Sequence, residues 1–127
     1  MVLALENSVY AQYVHFLLRN IKSSCLGFCY DSGHENAFTP NEDYLSEYGD
    51  ILVALHLHDN DGKNDLHMLP LQPNGTIDWN DKVSKLRKTA LFERMITLEA
   101  GIEGKNLLAE FSSALCVAKK LARHGDL

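Results

Sequence analysis

An α/β fold built on a parallel sheet is predicted by two features of this 127-residue chain. Four short apolar runs, at residues 3–5, 26–30, 51–57 and 95–98, alternate with stretches of helical character. The longest run, 51–57, is broken only by His56 and does not alternate with polar residues, as suits a strand buried on both faces. Strand followed by helix, repeated four times, places the strands parallel in one sheet.

Each element has a local reason. After the first run, Asn7-Ser8 is cap-like, and Tyr10, Tyr13, Val14, Leu17, Leu18 and Ile21 recur at one-face spacing, which predicts a helix over about 8–23. After the second run, Thr39-Pro40 reads as an N-cap with proline at the first helical position, opening a short helix that Gly49 stops. A loop of about eighteen residues follows the third run, with Asp61-Gly62 and Pro73-Asn74-Gly75 as turn signals. Asp78 then caps a helix whose apolar stripe is Trp79, Val83, Leu86 and Ala90. A last helix, about 106–123, carries Leu107, Leu108, Phe111, Leu115, Ala118 and Ala122.

Composition narrows the function. Hydrophobic residues are 46% and charged residues 23%, ordinary for one globular domain, here 1–127. No run approaches the ~18 apolar residues of a membrane span. Glu6 arrives before a secretory apolar region forms, so a cytoplasmic location is expected. A net charge of −5 argues against nucleic acid as a partner, since phosphate binding needs clustered Lys and Arg. Cys25, Cys29 and Cys116 form no CxxC pair and read as buried, reduced packing residues, not as a disulfide framework or zinc knuckle.

The chemistry gathers at the strand ends. The four runs are closed by Glu6, Asp31, His56 and Glu99, and in a parallel α/β sheet the carboxyl ends of the strands form the mouth where ligands bind. A single acidic residue in that position is often only a helix cap. Four of four being ligand types points to a metal site instead. Three carboxylates and one imidazole suit Mn²⁺ or Mg²⁺, with Zn²⁺ also compatible. Nearby are His58, two residues beyond His56, then His34 after Asp31, and the Asp65-Leu66-His67 pair in the long loop. These four are candidates for substrate contact or a second metal, or are solvated loop residues. Asp59-Asn60-Asp61-Gly62 has calcium-loop residues, but Gly62 is misplaced for an EF-hand and no Glu closes the loop.

The segments GFCYDSGHENAF, LHLHDNDGKNDLHMLPLQPNGTIDW and MITLEA, with LALEN before them, resemble the later motifs of the xylose isomerase-like TIM-barrel superfamily. That superfamily includes sugar phosphate isomerases and epimerases, inosose dehydratases and endonuclease IV-type AP endonucleases. The resemblance spans nearly the whole chain and implies half of a (β/α)₈ barrel, with four parallel β-α units corresponding to strands five to eight. By resemblance to the ketose epimerases, Glu6, Asp31, His56 and Glu99 hold a divalent metal (Mn²⁺ or Zn²⁺, or Mg²⁺). Glu6 and Glu99 then serve as the acid/base pair on a sugar or sugar phosphate, and His34 contacts the substrate. By resemblance to the endonuclease branch, His34, Asp65 and His67 join these four around a zinc cluster. Half a barrel leaves two open edges. The expected partners are a second copy in a homodimer or a complementary N-terminal half-barrel, and a half-barrel without activity is the third reading.

Overall fold

The computed structural model describes residues 1–92, 94–101 and 104–123. Three strands, β1 (Leu3–Glu6), β2 (Leu26–Asp31) and β3 (Leu52–His56), form a parallel sheet in the order β1-β2-β3. The helices are α1 (Ala11–Asn20), α2 (Ser32–Phe38), α3 (Tyr44–Tyr48), α4 (Trp79–Leu86) and α5 (Leu107–Ala122). Among the described residues, no helix is long and apolar enough to cross a membrane.

The predicted fourth strand is reduced to one parallel bridge, Leu57 with Leu98. The Leu57 amide donates to the Thr97 carbonyl at 3.0 Å, and the Glu99 amide donates to the Leu57 carbonyl at 3.1 Å. This pairing suffices to set Glu99 beside the end of β3.

Side chains of the sheet divide cleanly. Phe28 and Tyr30 point under the helices and are fully buried with Tyr44, Leu55, Leu57, Leu86 and Leu121. Residues two apart share a face, so Cys29 and Asp31 turn the other way, as do Ala4 and Glu6. The register places Glu6 beside Cys29 and Asp31 beside His56. Val53 is an extra residue in β3, between the pairs Phe28–Leu52 and Cys29–Ala54.

Several local expectations are corrected. Helix α1 is shorter than 8–23, because Tyr10 opens it without a side-chain cap and Ile21 turns extended. Asn7 is fully buried and serves β2 instead: its side chain accepts from the Asp31 amide at 2.7 Å and donates to the Asp31 carbonyl at 2.8 Å. Thr39 closes α2 and opens no helix; α3 begins after Asp43, whose side chain accepts from the Ser46 amide. Asp78 caps α4 as predicted. On α5 the buried residues are Val117 and Leu121, while Leu107, Leu108, Phe111 and Leu115 of the predicted stripe face outward.

Candidate metal centre

Glu6, Asp31 and His56 are the last residues of β1, β2 and β3, and Glu99 directly follows the Leu98 bridge. Parallel pairing therefore collects four sequence-distant side chains at one end of the sheet. His56 Nδ1 lies 3.0 Å from Glu6 Oε1, 3.0 Å from Glu99 Oε2 and 3.9 Å from Asp31 Oδ2. One donor atom from each of the four falls within 4.8 Å of every other.

Asp31 divides its two oxygens between fold and site. Oδ1 accepts from the His34 amide at 2.7 Å, capping α2, and stands 3.1 Å from His58 Nε2. Oδ2 is buried and without a hydrogen-bond partner, facing His56 and His34 at 3.9 Å each. An orphaned carboxylate oxygen is costly to bury, and a water, a protonated imidazole or a cation could satisfy it. Burial pushes the Asp31 carboxyl up, but His58, the His34 amide and the imidazole charges outweigh burial and hold it below the usual range.

A second donor group stands beside the first. His58, Asp65 and His67 also bring donor atoms within 4.8 Å of one another. His58 Nε2 is 3.6 Å from Asp65 Oδ1, and His67 Nε2 is 3.4 Å from Asp65 Oδ2. His34 bridges the two groups, with Nε2 3.3 Å from Asp65 Oδ2 and Nδ1 3.6 Å from Glu6 Oε1. Its Nδ1 also lies 2.9 Å from the Asn7 carbonyl. All eight predicted residues thus meet at one mouth. Their exposure differs: His58 is fully buried, whereas Glu6, His34, His56 and His67 are partly open.

Cys29 lies one step below, with its sulfur within 4.8 Å of Glu6 and His56 donor atoms. Burial first, then the carboxylates of Glu6, Asp31 and Glu99, push its thiol up to about 12, so it is a protonated packing residue at neutral pH, whereas Cys25 and Cys116, expected to be buried, are exposed.

Sequence reasoning weighed Asp59 only within a calcium-loop pattern and missed its structural role. This side chain is buried, and its Oδ1 accepts from the amides of Asn60, Thr76 and Ile77 at 2.8, 3.1 and 3.2 Å. Its Oδ2 accepts from the Trp79 indole at 2.6 Å. The long loop that presents Asp65 and His67 is therefore pinned at both ends. A Cβ on Gly75 would come 2.3 Å from Asp59 Oδ2, so glycine is required for this approach. The usable signal was the pairing of a Gly-x-x-x-Trp segment with an acidic residue at the strand end.

Comparison with known proteins agrees with this architecture. The family described as xylose isomerase-like TIM barrel matches residues 6–120. A protein of Sinorhizobium fredii, named only as uncharacterized protein y4fM, is 34% identical over 97 residues, which is 76% of this chain and 30% of that protein. The chain thus spans about a third of that relative's length. The crystal structure of a D-tagatose 3-epimerase-like protein superposes with a TM-score of 0.67 at 18% identity, covering 97% of this chain and 50% of the other. At that identity the likeness is one of fold.

Proposed function

The chain belongs to the xylose isomerase-like TIM-barrel family, and on that premise we propose that it carries the metal-holding half of a sugar or sugar phosphate epimerase or isomerase. Its four units correspond to strands five to eight of a (β/α)₈ barrel, a reading supported by the match to half of the epimerase-like chain. The observation that carries the function is the meeting of Glu6, Asp31, His56 and Glu99 around the orphaned Asp31 oxygen.

Glu6, Asp31, His56 and Glu99 would hold a divalent ion, Mn²⁺ or Mg²⁺ by the richness in carboxylate, with Zn²⁺ compatible. Bound there, the ion supplies Lewis-acid polarisation of a substrate carbonyl and its neighbouring hydroxyl. Glu6 and Glu99 come from the first and last strand positions, on opposite sides of His56. One takes the proton from the carbon next to the carbonyl, and the other returns a proton to the opposite face. His34, partly open and with its Nδ1 beside the Asn7 carbonyl, would contact a substrate hydroxyl.

The direct test is proton exchange. With Mn²⁺ present, D-tagatose in deuterated water should lose its exchangeable C–H signal by NMR, and Glu99→Gln should stop that loss. Exchange at the same rate in Glu99→Gln would remove the acid/base assignment.

The second donor group, His58, Asp65 and His67, supports one other reading, a zinc phosphodiesterase of the AP endonuclease kind. Stoichiometry separates the two. One tightly held ion per chain favours the sugar chemistry, and two or more favour the phosphodiesterase. The net charge of −5 weighs against a nucleic-acid substrate.

A further inference from the structure

Asn7 is the first residue beyond β1 and is fully buried. Its amide donates to the Cys29 carbonyl at 3.4 Å, which carries the β1–β2 pairing one residue past Glu6. There β1 ends, and the side chain takes over. Oδ1 accepts from the Asp31 amide at 2.7 Å, and Nδ2 donates to the Asp31 carbonyl at 2.8 Å. A carboxamide carries the same donor and acceptor as a peptide group, so Asn7 gives Asp31 the two bonds that a continued strand would give. An apolar side chain here would leave both Asp31 groups buried and unpaired.

The same residue reaches the mouth through its backbone. Its carbonyl lies 2.9 Å from His34 Nδ1, and a carbonyl can only accept, so the neutral ring carries its proton at Nδ1. Nε2 then keeps its lone pair, and it faces Asp65 Oδ2 at 3.3 Å. The His34 amide in turn donates to Asp31 Oδ1 at 2.7 Å, which leaves Oδ2 as the oxygen turned to His56. Asn7, Asp31 and His34 therefore close a ring of hydrogen bonds between the ends of β1 and β2 and the start of α2. Such a ring fixes each member only while every bond in it is made.

We propose that Asn7 is a positioning residue of the mouth: it sets the directions of Asp31 Oδ2 and His34 Nε2 without itself meeting ion or substrate. The consequence for metal affinity rests on the ion site proposed above, whereas the consequence for the ring of hydrogen bonds does not. Groups that orient metal ligands from behind change affinity by about 10–100-fold when removed.

Two measurements on the 127-residue chain, Asn7→Ala and Asn7→Asp test this. The first is amide hydrogen exchange by NMR without metal. The His34 amide is bonded to Asp31 and not to Asn7, so its exchange reports whether Asp31 is held. In either variant the ratio of the His34 rate to the Leu121 rate should rise at least tenfold. A proportional rise of both rates would mean a general loss of stability and would overturn the proposal. Should Asn7→Ala fail to fold, Asn7→Asp, which keeps the size and the acceptor for the Asp31 amide, decides.

The second measurement is Mn²⁺ binding by titration calorimetry. A carboxylate beside Glu6 would by itself tighten a cation, so a tenfold or greater weakening in Asn7→Asp reads geometry and not charge. Val117→Ala, a core truncation on α5, should bind as the parent does. Equal or tighter binding in Asn7→Asp would overturn the proposal, as would the same weakening in Val117→Ala. If the parent binds no Mn²⁺, the proposed ion site falls, and the exchange ratio still decides the role of Asn7.

Discussion

The imidazole of His58 lies flat against that of His67, with ring centroids 4.1 Å apart and planes 5° from parallel. One ring belongs to the floor of the mouth and is fully buried; the other hangs from the long loop at a positive φ of 48°. His67 Nδ1 is also 2.9 Å from the Glu99 carbonyl, so this residue joins the loop to the segment after the fourth strand position. The stack therefore couples three parts of the chain that are distant in sequence. His58→Ala should destabilise the fold by about 2–4 kcal/mol through a cavity and lost contact with Asp31. His67→Ala should cost about 1 kcal/mol or less, as expected for a partly exposed side chain. A double-mutant cycle by urea denaturation should show coupling of about 0.5–1 kcal/mol; strict additivity would contradict the stack.

Asp59 holds the loop by four donors, so Asp59→Ala leaves three amides and an indole N–H without their acceptor. We expect a loss of about 2–4 kcal/mol. Trypsin should cut faster after Lys63, which is exposed in that loop. Unchanged cleavage there would mean that other contacts fix the loop.

Two glycine substitutions separate space from conformation. Gly75→Ala drives a Cβ to within 2.3 Å of Asp59 Oδ2 and should release the loop much as Asp59→Ala does. Gly104→Ala meets nothing within 4 Å, but its φ of +77° disfavours a side chain, so about 1 kcal/mol is expected from backbone strain alone. Equal thermal shifts for the two variants would refute this distinction.

Stability of the metal-free protein should peak in mildly acidic solution. Asp31 sits below its ordinary 3.8, so its contribution is present above that value and lost as pH falls through the folded one. For His58 and His34, burial lowers the imidazoles, but the Asp31 charge and hydrogen bonding raise them further, to above 6.5. Their contribution is present below 6.5 and lost as pH rises through the folded values. Urea midpoints should therefore be highest between about pH 4 and 6.5, and His58→Gln should flatten the alkaline side. A parent midpoint that climbs from pH 6 to pH 8 would be inconsistent with this.

Divalent ions should stabilise the fold through the four strand-end residues. Mn²⁺ at a hundred times its dissociation constant should add about 2.7 kcal/mol, a rise in Tm of roughly 10 °C. Chelator should reverse the rise, and His56→Ala should abolish it. The same rise in His56→Ala would place the ion elsewhere.

Much of this was legible in one dimension. The alternation of apolar runs with helical stretches predicted a parallel sheet, and three of its strands formed. Glu6, Asp31, His56 and Glu99 could be named because a parallel sheet delivers every strand end to one side, whatever lies between them in sequence. Asp78 was readable as a cap because capping is settled within four residues. Where the partner lay farther away, local rules misled. Asn7 looked like the cap of α1, but its side chain is spent on the backbone of Asp31, twenty-four residues on. Thr39-Pro40 carried a start signal, yet α2 had already formed behind the Asp31 cap and ended there.

Residue order by itself determined which side chains share a face and which residues stand at strand ends, because both follow from backbone periods of 3.6 and 2.0. Only the tertiary structure decided which face meets the core. On α5 the apolar residues are spread widely enough that two faces were available, and packing against Leu86 and its neighbours selected the one bearing Val117 and Leu121. The same holds at the mouth. Whether Asp31 is a cap or a ligand depends on how many donors reach its second oxygen, and that number is set by the neighbouring strands and the loop pinned by Asp59.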